Sequence, residues 1–249
     1  MREVFKKLVD GSLVNIEIDV DADEFKSGRP WLFSVFVKYE GLDETKDGYE
    51  DFLETKESLI IALEYTNKTK YVGSRIIDGW SEFYFHCEDS KELNAIVTKM
   101  LSSTTYIYES NVVRDTKWNF YETQLFPTEL ELHHIESAKI IFLLQEEEDD
   151  LSVEREVEHY AVFDTATQKE RFVQQAKEFG FAFKDDIATD EYEHGVALVK
   201  FHMPRDEEVQ KIVEELFVLI KKEHGYYEGW STTLSDDRSL ANEEENSEL

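Results

Sequence analysis

The hydrophobic pattern of this chain switches between a period of two and the period of a helix, in the same order twice, and few folds accept that order. In the first half, residues 13–20 alternate, with Val14, Ile16, Ile18 and Val20 on one side, as a half-buried strand does. Residues 31–39 form an apolar, aromatic run that predicts a more deeply buried strand. Asp47 and Glu50 have capping-box spacing, and Phe52, Leu53, Leu59, Ile60 and Leu63 continue it as an amphipathic helix to about Tyr65. Residues 71–77 and 82–87 read as two strands joined at Asp78-Gly79, a tight-turn pair. Asp89 and Glu92 repeat the capping spacing before a helix to about Leu101, and residues 104–112 are a closing strand.

The second half repeats the order. Thr128 and Glu131 suit a helix start, with the helix running to about Gln145, and residues 146–150 are five consecutive acids. A strand over 156–163 follows. Asp164, or Thr165 with Gln168, caps a helix that ends at Phe179-Gly180. Residues 181–185 and 196–203 are strands. Pro204 and Asp206 open a long helix carrying Val209, Ile212, Val213, Leu216, Phe217 and Ile220, closed by His224-Gly225 before a last strand over 226–232.

Strand–helix–strand–strand–helix–strand, twice, predicts an α+β chain of two ferredoxin-like βαββαβ sandwiches with antiparallel sheets, each with two helices on one face and the other face free. The expected domains are residues 1–126, residues 127–232 and an acidic disordered tail over 233–249, a segment with little to bury. The repetition is one of pattern, without a residue-level repeat.

Charge narrows the class of partner. The chain carries 56 acidic and 27 basic side chains, a formal net of −29. Residues 1–126 hold 24 acids and 15 bases, a net of −9, and residues 127–249 hold 32 and 12, a net of −20. Such a field repels phosphate backbones, so direct nucleic-acid binding is not expected, and it favours a basic protein surface; acidity that only aids solubility is the plainer reading. No apolar run is long enough to span a bilayer, and no membrane partner is expected. The start of the chain lacks a secretory pattern, and the single cysteine, Cys87, excludes an intrachain disulfide, so a cytoplasmic setting is the expectation.

Two motifs resemble known families. Residues 155–163, Arg-Glu-Val-Glu-His-Tyr-Ala-Val-Phe, with Tyr227-Glu228-Gly229-Trp230 near the end, resemble the regulator of ribonuclease activity B family over about residues 127–232. The family pattern has Asp where Glu228 stands. The first half resembles a domain of unknown function found fused to that family, through Arg29-Pro30-Trp31 and the spacing Asp115, Trp118, Tyr121, Leu125, Pro127. The resemblance implies a ferredoxin-like fold and inhibition of ribonuclease E by binding it. Arg155, His159, Gly229, Trp118 and Tyr121 enter as motif residues with a structural part.

The strand over 156–163 places Glu156, Glu158 and Tyr160 on one face and Val157, His159, Ala161 and Phe163 on the other. The second set is apolar and is expected to face the helices, with His159 a partly buried, hydrogen-bonded residue; a ligand or acid–base role is the alternative. If Lys200 and His202 share the open face with Glu158, a cross-strand charge pair results. Tyr227 and Trp230 either pack on the sheet or touch the partner. The candidate binding residues are therefore Glu156, Glu158, Tyr160, Lys200, His202, Tyr227 and Trp230. Nucleophile-elbow, phosphate-loop, dinucleotide and helical zinc patterns are absent, and the adjacent pair His133-His134 points two ways on a helix. No catalytic residue, cofactor or metal is expected.

Three functions remain open. The first is a non-catalytic regulator that binds a protein, which the resemblance implies is a ribonuclease. The second is a small-ligand sensor, and the third a hydrolase built on His159.

Overall fold

Two sheets, antiparallel at every pairing, organise the chain, which is a mixed α+β structure of two modules. The computed structural model describes residues 1–9, 11–39, 48–188 and 191–235. It divides into two units, Met1–Glu131 and Leu132–Leu249.

The first unit contains β1 (Arg2–Val9), β2 (Ser12–Asp19), β3 (Trp31–Val37), α1 (Tyr49–Glu64), β4 (Thr69–Ile77), β5 (Trp80–Cys87), α2 (Leu93–Leu101) and β6 (Tyr108–Arg114). Its sheet order is β1-β2-β4-β5-β3-β6. A helix, α3 (Glu129–Glu146), follows. The second unit continues with β7 (Arg155–Phe163), α4 (Ala166–Glu178), β8 (Ala182–Ile187), β9 (His194–His202), α5 (Asp206–Lys222) and β10 (Tyr226–Thr232), in the order β10-β7-β9-β8. In both sheets the four strands of the repeated pattern take one arrangement: fourth, first, third, second. The first sheet adds the β1–β2 hairpin beyond β4.

That hairpin is half unforeseen. Sequence analysis placed one strand before Trp31, yet β1 pairs with β2 along its full length, from Arg2 opposite Asp19 to Val9 opposite Ser12. Val4 and Leu8 face outward while Phe5 is buried, and Lys6 and Lys7 interrupt the apolar signal, as charges do on an edge strand.

Local chemistry explains most element ends. Thr128 and Glu131 form the reciprocal capping box: the Glu131 carboxylate accepts from the Thr128 amide at 2.7 Å, and Thr128 Oγ1 accepts from the Glu131 amide at 3.3 Å. Thr165 caps α4 by accepting from the Gln168 amide. Asp78 and Gly79 both have positive φ, 50° and 79°, as the type I′ hairpin turn requires. The Asp89–Glu92 expectation fails. Asp89 instead accepts from the Lys91 amide, Glu92 adopts φ 67°, and α2 begins at Leu93. Asp47 lies outside the described residues, and α1 starts after Gly48.

In the first unit, α1 and α2 cover one face of the sheet over Phe33, Val35, Phe83, Phe85 and Cys87. Burial pushes the Cys87 thiol up to about 12, which leaves it an inert packing group. The opposite face was expected to be free. A turn of π-helix, Tyr121–Leu125, occupies it instead, with Trp118, Tyr121 and Leu125 fully buried. Gly73 permits the approach, because a Cβ there would meet Glu17 O at 2.6 Å and Leu125 at 3.2 Å.

Candidate functional site

The strand β7 separates two environments, and the register of β9 decides what joins each. His159 lies opposite Leu198, Val157 opposite Lys200 and Arg155 opposite His202, whereas Glu158 lies opposite Val199 and Glu156 opposite Phe201. Directly opposed residues share a face. Lys200 and His202 therefore stand on the helix side with His159, which corrects the expected pairing with Glu158.

The open face carries Glu156, Glu158, Tyr160, Val199, Phe201 and Ser231, and α4 and α5 pack on the other side, α4 through Phe172 and α5 through Leu216 and Ile220. Lys184, at a bulge in β8, reaches across and bridges Glu156 at 2.5 Å and Glu158 at 2.6 Å. Lys184 holds the Glu158 carboxyl below its ordinary range, with the Tyr160 hydroxyl adding to the effect. The two carboxylates and the lysine leave this patch with a single net negative charge, so it is less acidic than the sequence alone implies. Tyr160 hydrogen-bonds Ser231 across the sheet at 2.7 Å, and Phe201, opposite Glu156 on the same face, is 67% exposed.

Behind the face runs a buried relay. His202 Nδ1 lies 2.9 Å from the Met203 carbonyl, which only accepts, so this nitrogen carries the proton. His202 Nε2 then accepts from His159 Nε2–H at 3.3 Å, and His159 Nδ1 accepts from the Tyr227 hydroxyl at 2.9 Å. Burial pushes His159 down to about 3 and also lowers His202, so both rings are neutral near pH 7. The gap beside His159, walled by Phe172, Leu216, Ile220 and Tyr227, is too small for a water molecule.

Tyr227 and Trp230 belong to this interior, not to an exposed surface. A spacing of three on a flat strand would put them on opposite faces. A bulge between Tyr227 and Gly229, with Gly229 at φ 109°, turns both inward. Trp230 Nε1 donates to Ser137 of α3 at 3.0 Å. The Tyr-Glu-Gly-Trp motif is thus a bulge that seats two aromatic anchors. Arg155 is structural as well: its guanidinium bridges Asp149 and the carbonyls of Asp150 and Thr233. Asp149 also binds Ser235 through backbone and side chain, so chain expected to be disordered is held at its first residues. Residues 236–249 lie outside the described residues. Lys200 donates to the Phe179 carbonyl at 3.0 Å and lies over the Phe181 ring.

The first unit's motif residues also converge. The Arg29 carbonyl accepts from Trp118 Nε1 at 3.0 Å and lies 3.2 Å from His86 Nδ1, while the His86 and Trp118 rings stack at 4.0 Å. The Asp115 carboxylate caps the amides of Asn119 and Phe120, and the Tyr121 hydroxyl donates to the Asp19 carbonyl at 2.9 Å. Burial pushes His86 down to about 4. Among the described residues no cluster of three or more His, Cys, Asp or Glu side chains could hold a metal, and no helix is long and apolar enough to cross a membrane.

These two modules are those of a two-domain α+β protein. Residues 134–232 match the family described as regulator of ribonuclease activity B, and residues 3–126 match a family of unknown function. The C-terminal module is a domain of the ribonuclease-regulator family, and the N-terminal module is a domain of the second family. Comparison with curated proteins gives no match. A solved structure described as an unknown protein from Galdieria sulphuraria covers 80% of this chain and 96% of its own, at 9% identity and a TM-score of 0.20, too low to carry an argument.

Sequence reasoning missed Lys184 and Phe201. Alternation along 196–203 already separates Phe201 from Leu198 and His202, but nothing in it says which set faces out. Lys184 sits at a bulge, where alternation gives no guide.

Proposed function

We propose that the chain is a non-catalytic regulator whose C-terminal domain binds an RNA-degrading endonuclease through the open face of its four-stranded sheet. The observation that carries this reading is that exposed Phe201, Tyr160 and the Glu156–Lys184–Glu158 bridge share one face, which α4 and α5 leave uncovered. An aromatic anchor ringed by polar groups is the usual anatomy of a protein interface. The family match supports a ribonuclease as partner. The closed surroundings of His159 support a structural relay over a hydrolytic site, since a substrate needs room beside the base.

Affinity capture with mass spectrometry identifies the partner, and surface plasmon resonance on the purified pair tests the face. Phe201→Ala and Tyr160→Ala are expected to speed dissociation by about tenfold or more, the loss typical of a buried anchor. Unchanged binding in both variants would remove the open sheet face from the interface.

A further inference from the structure

The β1–β2 hairpin widens the first sheet beyond the reach of α1 and α2. On the helix face this leaves a cleft of about 230 Å³ between α1 and the hairpin, floored by β4 and β5. Phe83 and Ser74 form its floor, Leu53 and Lys56 its α1 wall, and Val4 and Glu17 its hairpin wall. Val4 and Leu53 are exposed at the rim, 68% and 38%, so the cleft opens to solvent. Its size exceeds the roughly 150 Å³ cavity that accepts benzene, so a one- or two-ring molecule fits.

The polar groups select the charge. Glu17 already accepts from the Tyr71 hydroxyl at 2.9 Å and from Lys56 at 2.6 Å, and Arg2 stands 3.7 Å away. Lys56 and Arg2 already balance its negative charge, so a ligand cation gains little there. Lys56 is only 11% exposed, and the ion pair with Glu17 uses one of its three N–H donors. We propose that this cleft of the N-terminal module binds a small molecule with an aromatic or branched apolar body and a single carboxylate, the body on Phe83 and Leu53 and the carboxylate on Lys56. The site is independent of the sheet face assigned to protein binding.

Nitrogen-15 NMR on the full chain tests this with three probes that share one ring system: indole-3-acetate, 3-methylindole and tryptamine. Saturable shifts are expected at the amides of Leu53, Ser74 and Phe83, strongest for the acid, weaker for the neutral probe and weakest for the amine. Lys56→Gln, which keeps a donor for Glu17, should remove the acid's advantage and spare the neutral probe. Leu53→Trp fills the rim and should weaken the acid and the neutral probe by about tenfold, the equivalent of a lost pair of methylenes. Both sites are partly exposed, and the dispersion of each variant's own spectrum checks its fold. Absence of saturation at millimolar probe, an amine that binds as well as the acid, or a Leu53→Trp variant that binds normally would overturn the proposal.

Discussion

The Tyr227 hydroxyl donates to His159 Nδ1 across 2.9 Å, and that bond, with the Met203 carbonyl at the far end, sets the proton positions of the whole relay. A bulged strand at one edge of the sheet is thereby tied to its two central strands. Tyr227→Phe keeps the ring and strands the His159 acceptor. An unsatisfied buried acceptor costs about 1–3 kcal/mol. Melting should fall by roughly 4–8 °C per kcal/mol for a domain of this size. A double-mutant cycle with His159→Gln should show coupling, and additive losses would mean that the two side chains do not act together.

The same relay predicts a pH dependence. His159 is depressed from the ordinary 6.5 to about 3 by burial, so the unfolded chain takes up a proton that the folded one refuses. Stability is therefore complete above about pH 7 and is lost as pH falls below the unfolded value. Between pH 7 and 5 this one histidine should contribute a loss of about 2 kcal/mol. Denaturant unfolding of His159→Gln should show a correspondingly shallower fall over that window; an identical pH slope would show the ring is not held neutral.

Removing residues 234–249 should destabilise the C-terminal module, contrary to the expectation from composition. Burial works against the charge of Asp149, yet Ser235 and Arg155 hold its carboxyl below the usual range. Loss of Ser235 takes away two of its hydrogen bonds, at about 1–3 kcal/mol. Ser235→Ala in the full chain should reproduce part of that loss, while truncation after Ser235 should spare it. Thermal melts of the three variants decide.

Gly229→Ala tests the bulge. Open space surrounds the position, so the cost is the φ of 109° rather than a clash. Backbone strain of this kind costs about 1–3 kcal/mol. A neutral alanine would mean that the bulge relaxes without moving Tyr227 or Trp230, which tryptophan fluorescence would report.

Lys184→Gln should accelerate association with a basic partner and steepen its salt dependence, because the bridge with Glu156 and Glu158 loses its only cation. Stopped-flow association at two ionic strengths measures this. A slower association would place a negatively charged surface opposite the patch.

Much of the fold was legible because its signals are local. Period two against helical period, the Thr128–Glu131 box and the Asp78-Gly79 turn each depend on residues a few positions apart, and the sheet order follows once the pattern repeats. The outward position of Glu156, Glu158 and Tyr160 and the inward position of His159 could be read from alternation within β7 alone. Which face Lys200 and His202 share with β7 could not. That depends on the parity of the β7–β9 register, and a one-residue slip exchanges the faces of a strand. Tyr227 and Trp230 joined the interior through a bulge that alternation does not encode. The covering of the second face of the first sheet by Trp118, Tyr121 and Leu125 likewise rests on contacts between residues about a hundred positions apart, such as the Tyr121 hydroxyl on the Asp19 carbonyl. The sequence by itself determined the elements, their order and the face each strand residue shares with its own neighbours. Tertiary structure alone decided which of those faces meet, because long-range pairing is chosen by the summed packing of the whole sheet rather than by any one segment.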